Sequence, residues 1–324
     1  MQTVKLVAPA KVNLFLGIGP RRDDGYHSAI SIMHALAMHD RLEMTLVSAG
    51  EQLVLFEPGD AAQPSRQLEV APAQGCGLVV GANVQWAAGL EPAEIADEDN
   101  LACKAVHALA AAIGRSEDEC IRIVIEKKIP HQTGLGGGSA DAAAALVGAA
   151  NLWGLLPEDE RIEEVARSLG ADVAFFIYGG CALLEGAGDV FEHTLEPMKQ
   201  TLVIVKPDGG VSTKEAYAAF DTLSPSIPDD LLSTARAARR ANEVPLFNNL
   251  AAASETLHDE LSEVRSFLQH YPGVEGVLLC GSGAGTFAVC ENYEVGQALS
   301  AAAQSRGWWA RSTSFASLAA SILP

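Results

Sequence analysis

The sequence predicts a protein of mixed helix and strand, of the α/β or α+β class, folded as two domains. Three observations carry that expectation. Stretches with strand-like alternation are interleaved with stretches of helical character along the whole chain. The length of 324 residues suits about two domains at roughly 100–200 residues each. A composition of 48% hydrophobic and 19% charged residues is too apolar for a disordered chain and can fill a sizeable core.

The elements follow in order. Residues 3–7 and 10–17 read as short strands, and 41–47 continue the β pattern. Residues 50–99 are different, with several Pro and Gly and little periodicity. The stretch has room for hairpins, since residues 52–56 alternate, and part of it reads as an insertion or mobile loop. Asn100 stands as a helix N-cap before residues 101–113, which Gly114 ends. Residues 121–126 alternate as a strand, Pro130 begins a glycine-rich turn, and an alanine-rich helix follows from Ser139. Residues 157–169 read as another helix, closed by Gly170. The second half opens with a strand at 201–206, stopped by Pro207-Asp208-Gly209-Gly210. Residues 213–220 and 249–270 fit helices. Strands at 277–279 and 286–289 flank a second glycine cluster, Gly281-Ser282-Gly283-Ala284-Gly285. A helix at 294–304 and a strand at 308–313 complete the set, and the division falls near residue 195.

Charge and cysteine usage narrow the function. There are 22 Lys and Arg against 41 Asp and Glu, a formal net charge of −19. That surplus disfavours broad binding to nucleic acid, which relies on cations neutralising phosphates. It disfavours an anionic membrane surface as well. One basic pocket for a small phosphorylated ligand can still sit in an acidic body. The N-terminus lacks a basic segment followed by an apolar core, so no secretory signal is expected. No apolar run reaches the roughly 18 residues of a membrane span. The six cysteines (Cys76, Cys103, Cys120, Cys181, Cys280, Cys290) are scattered without a Cys-x-x-Cys, which suits core thiols in a reducing cytoplasm. The eight histidines form no His-Glu-x-x-His and no cluster with cysteine, so no structural or catalytic zinc site is expected, and no dedicated acidic cage for a cation is evident.

The strongest chemical signal is Pro130-His131-Gln132-Thr133-Gly134-Leu135-Gly136-Gly137-Gly138-Ser139-Ala140-Asp141-Ala142-Ala143. Four glycines in five positions strip the loop of side chains, so backbone N–H groups can approach a polyanion. The following helix aims its unpaired N–H groups at the same place. Phosphate is the natural occupant. The loop is not a P-loop, since no Gly-Lys-Ser/Thr follows, and it fits the dinucleotide fingerprint only loosely. A flexible turn ahead of a good helix former is the plainer alternative.

Three weaker segments accompany it. Lys11 and Asn13 alternate along an apolar strand and so face one side. A buried Lys needs an anion, unless that face is wet. Asp24-Gly25-Tyr26-His27 is a turn presenting an aromatic ring and an imidazole, which a solvated turn would also do. Asp172 follows Gly170-Ala171 at the start of an apolar run. It reads either as a helix-capping carboxylate or as a proton acceptor held by a rigid segment.

In this order, Pro9-Ala10-Lys11-Val12-Asn13-Leu14 with Gly25-Tyr26-His27, the glycine loop, Gly170-Ala171-Asp172-Val173 and Gly281-Ser282-Gly283 resemble the GHMP kinases. The four elements span most of the chain. The glycine loop marks the superfamily. The Lys-x-Asn-Leu and Gly-Tyr-His pair marks the branch that serves the non-mevalonate isoprenoid route, whose acceptor alcohol carries a cytidine diphosphate. The resemblance implies an α+β fold, with a ribosomal-protein-S5-like ATP-binding domain over 1–195 and a ferredoxin-like substrate domain over 196–324. It implies ATP, arriving with Mg2+, and transfer of a phosphoryl group to a tertiary hydroxyl. Asp172 would be the general base and Lys11 its partner. Pro130, Gly134, Leu135, Gly136, Gly137, Gly138, Ser139 and Ala140 would wrap the phosphates, and Asn100, Leu101 and Lys127 would contact adenine and ribose. Asn13, Tyr26, His27 and Tyr217 would hold the cytidyl substrate, with Gly281, Ser282 and Gly283 closing over its phosphate and erythritol end. Partners implied are these small molecules alone, without nucleic acid or membrane, for a monomer or homodimer. Lys11, Lys127 and the loop amides would form a small positive site in an acidic shell.

Two departures stand out. Ala284-Gly285-Thr286 follows Gly283 where many relatives have Pro-Thr, and residues 50–99 are longer than usual there. A homoserine or mevalonate type of GHMP kinase, and a non-catalytic nucleotide-binding protein, are the competing readings. Gly25-Tyr26-His27 speaks against the former, since it suits a nucleobase. Lys11 kept together with Asp172 speaks against the latter.

Overall fold

The structure, a computed structural model, describes residues 1–23, 25, 27–57 and 66–324. The chain opens with two long antiparallel strands, β1 (Gln2–Arg21) and β2 (His27–Ser48). The two short strands expected at 3–7 and 10–17 are therefore one. Pro9 does not break it, because a register shift between Pro9 and Lys11 absorbs the missing donor. That shift turns the Lys11 N–H away to the Leu135 carbonyl at 3.0 Å, tying the strand to the glycine loop.

β3 (Leu53–Glu57) and β4 (Arg66–Val70) pair as a separate ribbon. β5 (Leu78–Trp86), which falls in the stretch read as an insertion, is instead a full strand of the main sheet. It connects through α1 (Leu101–Ile113) to its parallel neighbour β6 (Glu119–Lys127). The signal missed there is the apolar alternation of Leu78, Val80, Ala82 and Val84, which pack on the first core. Asn100 caps α1 by accepting the Ala102 N–H at 3.0 Å, and Gly114 closes it with φ 68°.

Three helices and a hairpin complete the first half. They are α2 (Gly137–Leu152), α3 (Glu160–Leu169), α4 (Ala171–Tyr178), β7 (Cys181–Glu185) and β8 (Val190–Thr194), with a sharp turn rather than a loop between α3 and α4. α3 starts at Glu160 rather than 157, because Asp159 accepts the Arg161 N–H at 3.1 Å and so caps it. α2 is buried on nearly every side. Its alanines, Ala140 and Ala142 through Ala145 among them, let it lie close against the sheet and against α1 and α4.

The second half builds a four-stranded antiparallel sheet. Its order is β11 (Val274–Leu279), β12 (Thr286–Cys290), β9 (Thr201–Lys206) and β13 (Trp309–Ser314). Helices α5 (Thr213–Leu223), α6 (Asp229–Ala237), α7 (Ala251–Glu255), α8 (Glu260–Gln269) and α9 (Tyr293–Gln304) surround it. The single helix expected over 249–270 is thus two. Thr256 bonds back to the Ala253 carbonyl at 2.7 Å, and His258 leaves the helical path to meet the Asp208 carbonyl at 2.8 Å. The short strands β10 (Phe247–Asn248) and β14 (Ser321–Ile322) return to flank β1.

One core lies between the first sheet and its helices, and another under α8 and α9. A third is shared by both sheets, with Phe15, Ile32 and Leu36 meeting Leu202, Ile204 and Phe287. His34 works at this joint. Its Nδ1–H donates to the Ala35 carbonyl at 2.8 Å, and its Nε2 accepts the Met198 N–H at 3.0 Å. Burial pushes its pKa down to about 4, with the Ala35 bond opposing, so the ring is neutral. Among the described residues no helix is long and apolar enough to cross a membrane.

Candidate active site

The glycine loop is gripped from several sides. A Cβ on Gly134, at φ 73°, would lie 1.8 Å from the Cys280 carbonyl oxygen, so only glycine passes there. The Ala284 N–H donates to the Gln132 carbonyl at 3.0 Å, which holds the second glycine cluster against the first. Gly136, also left-handed, is the N-cap of α2 and uses no side chain to cap it. A Cβ on Gly138, by contrast, would meet nothing. The loop is therefore tight below and open above, and the free amides at the start of α2 edge the opening.

That opening is a cavity of about 250 Å³. Asn100, Leu101, Lys127, Pro130 and Gly134 through Gly138 all line it. Ser139 and Ala140 do not. Ala140 is fully buried, and its amide is already bonded to the Gly136 carbonyl at 2.8 Å.

Beneath the loop lies a buried charge cluster that the sequence did not reveal. The Lys127 ammonium pairs with Asp40 and, at 2.6 Å, with Asp141 Oδ2. Asp40 also accepts the backbone N–H groups of Lys128 and, at 2.9 Å, Ile129. Burial by itself lowers the Lys127 pKa, but the charges of Asp141 and Asp40 outweigh it and raise it. Burial raises that of Asp141, with Asp40 adding and Lys127 opposing. The expectation that Lys127 adds net positive charge to the site is thus corrected: two carboxylates already surround it. Asp141 stands within the quoted glycine motif, yet only the fold brings Asp40 to it.

A second cavity, about 200 Å³, adjoins the first and shares Gly134 with it. Lys11, Asn13, Ser31, Asp172, Tyr217, Gly281 and Ser282 are among its walls. Lys11 is 4% exposed and comes from the inward face of β1. It donates to Asn13 Oδ1 at 2.8 Å, and Asn13 Nδ2 donates to Ser31 Oγ at 2.8 Å, so the lysine is held in one position. Its Nζ stands 3.4 Å from Asp172 Oδ2. Asp172 lies in the first turn of α4, but the N-cap is Gly170, so the capping role open from sequence falls to a residue without a side chain. The carboxylate is left for Lys11 and the cavity. Thr213 Oγ1 and Ser282 Oγ, 2.9 Å apart, join the second half to the same wall.

The expected base-holding residues separate. Tyr217 lines this cavity, and burial raises its hydroxyl pKa, with the Asp172 charge adding. His27 lines a neighbouring cleft instead, with Nε2 2.7 Å from Asp221 Oδ1. Its ring is 5.4 Å from that of Tyr217 and tilted by 39°. Tyr26 lies outside the described residues. Gly283 lines neither cavity, and its N–H donates to the Cys280 carbonyl at 2.8 Å.

An opening edged by loop amides, joined at one glycine to a chamber holding a lysine and a carboxylate, is an arrangement suited to a small-molecule kinase. Residues 100–180 match the GHMP kinases N terminal domain. A 4-diphosphocytidyl-2-C-methyl-D-erythritol kinase of Desulfitobacterium hafniense (strain Y51) is 35% identical over 309 residues, covering 94% of this chain and 93% of the relative. The protein of that name from Thermobifida fusca (strain YX) is 33% identical over 313 residues, 94% and 92% of the two chains. The chain belongs to the 4-diphosphocytidyl-2-C-methyl-D-erythritol kinase family of GHMP kinases. A crystal structure of 4-(cytidine 5'-diphospho)-2C-methyl-D-erythritol kinase superimposes with a TM-score of 0.69 at 29% identity, over 96% of this chain and 99% of that one. The mevalonate kinase of L. major in complex with R-mevalonate, 18% identical with a TM-score of 0.64 over 97% of each chain, shares the fold.

Proposed function

We propose that the chain transfers the γ-phosphoryl group of ATP to the tertiary 2-hydroxyl of 4-diphosphocytidyl-2-C-methyl-D-erythritol. The reading rests above all on one observation: the Lys11–Asp172 pair, 3.4 Å apart, stands in a cavity that shares Gly134 with the glycine-loop cavity. ATP phosphates bind over Gly134 through Gly138, with the adenosine toward Asn100 and Leu101. The acceptor hydroxyl sits between Asp172 and Lys11. Asp172 takes its proton as the oxygen attacks the γ-phosphorus, the bond to the ADP oxygen breaks, and ADP leaves. Phosphoryl transfer needs positioning and charge stabilisation more than covalent help from the protein. Lys11, fixed by Asn13, steadies the charge on the transferring group, and the loop amides steady the phosphates. Tyr217 offers the cytosine a stacking face, and Ser282 with Gly281 closes the erythritol end.

Mg2+ bound with ATP would neutralise charge on the phosphates. The site suits it, because Asp141 lines the nucleotide cavity and its Oδ1 is buried without a hydrogen-bond partner among the described residues. We place the enzyme in the cytoplasm, where its six free thiols stay reduced.

A coupled assay of ADP release with ATP and a panel of alcohols tests the reading. ADP should form with the cytidyl acceptor, and CDP should compete against that acceptor. Turnover with homoserine or mevalonate and none with the cytidyl compound would overturn it.

A further inference from the structure

We infer that Asp141, through its Oδ1, is the protein's own ligand to the divalent cation that accompanies the nucleotide. The inference rests on the assignment of the glycine-loop cavity to nucleotide phosphates. It begins from valences. Asp40 is saturated, with one oxygen accepting the Lys128 and Ile129 N–H groups and the other facing Lys127. The Lys127 ammonium is divided between Asp40 and Asp141. Asp141 Oδ2 takes that ammonium at 2.6 Å, and its Oδ1 is left buried with no partner among the described residues. The residue is 5% exposed, so bulk water does not serve that oxygen.

The position of the cluster points the same way. A Cβ built on Gly137 would come within 3.2 Å of the Lys127 Nζ, so the cluster lies directly under the loop. The loop amides above it invite phosphate. A divalent cation arriving with the phosphates and held by Asp141 would satisfy the orphaned oxygen. Mg2+ is characteristically held by one or two carboxylates plus substrate phosphates, so a cage of three acidic groups is not needed.

Calorimetric binding of ADP to the full chain, with Mg2+ and with a chelator, tests this in wild type, Asp141→Asn and Asp40→Asn. Asn at 141 keeps a carbonyl oxygen for Lys127 and changes the shape little. The gain in ADP affinity on adding Mg2+ should fall by roughly tenfold or more in Asp141→Asn, within the usual 5–150-fold range of couplings between ligands. Metal-free binding should hold to within about threefold, since the loop amides are unchanged. Asp40→Asn leaves the Asp141 oxygen in place and should keep the Mg2+ gain. An unchanged gain in Asp141→Asn, or an equal loss in Asp40→Asn, overturns the inference while leaving the nucleotide assignment standing. ADP binding to none of the proteins, with or without metal, overturns both. If Asp141→Asn does not fold, Fe2+ replaces Mg2+ in the wild-type ADP complex. Peroxide-driven backbone scission should then fall beside residue 141, and scission confined to the segment around Asp172 refutes the assignment.

Discussion

The two walls of the site are built in opposite ways. The nucleotide wall comes mainly from one continuous stretch, residues 129–141, pressed against Lys127 and Asp40 and buried below its surface. The acceptor wall is gathered from β1, β2, α4, α5 and the second glycine cluster, so both halves of the chain must be in place to form it. Its main charged contact is looser as well: Asp172 is 35% exposed at its side chain and 3.4 Å from Lys11, against 2.6 Å for the buried Lys127–Asp141 pair. The contrast suggests a division of labour. The nucleotide wall is a preformed mould, while the acceptor wall keeps a carboxylate accessible to whatever hydroxyl arrives.

The sharpest way to break that contrast is Asp172→Asn. The change is nearly isosteric and should leave ADP affinity within about twofold, since Asp172 is outside the nucleotide wall. Loss of a positioned proton acceptor should lower kcat roughly 10²–10⁴-fold. Single-turnover assays alongside ADP calorimetry make the comparison. Wild-type turnover in this variant would remove the base from Asp172, and lost ADP affinity would show that the walls are one unit.

The same contrast governs what the sequence reveals. Features whose causes are local are legible: the Asn100 cap and Gly114 stop set α1 to the residue, and the glycine density marks the loop. Lys11 and Asn13 are legible as a pair because strand alternation puts both on one face. Asp40 is not. It sits in a long strand 87 residues before its partner Lys127, and nothing near it signals the contact. The break between α7 and α8 is hidden for a similar reason, since the carbonyl that draws His258 out belongs to Asp208. The resemblance supplied Tyr217 and His27, but only the fold shows that their rings meet each other while the two residues line separate clefts.

A smaller effect should appear at the joint on which the acceptor wall depends. His34 has a folded pKa of about 4 against 6.5 for a free imidazole. The unfolded chain therefore binds a proton that the folded chain refuses between those values. Its contribution is complete above about pH 6.5 and is lost as pH falls toward about 4. The shift corresponds to about 3 kcal/mol. Protonation must break the bond from the Met198 N–H, since Nε2 then becomes a donor. Chemical denaturation of wild type and His34→Gln across this range is the measurement. The stability difference between them should shrink by about that amount on acidification, and a constant difference would refute the assignment.

The smallest structural effect should come from Gly138→Ala, and it tests what the bare loop is for. At Gly134 an added Cβ would collide with the Cys280 carbonyl oxygen, so that glycine is required by packing whatever binds. At Gly138 the added Cβ meets no protein atom. Ala is also the better helix former by up to about 1 kcal/mol, so the thermal midpoint should stay level or rise slightly. The methyl group would instead stand in the mouth of the nucleotide cavity, where phosphate oxygens approach the amides. KM for ATP should rise roughly tenfold, equivalent to about 1.4 kcal/mol, while KM for the cytidyl acceptor stays near wild type. An unchanged KM for ATP would mean that the phosphates lie away from the Gly138 amide, elsewhere along α2. A parallel rise for the acceptor would mean that the chambers sharing Gly134 respond as one, and the two-wall contrast would have to be given up.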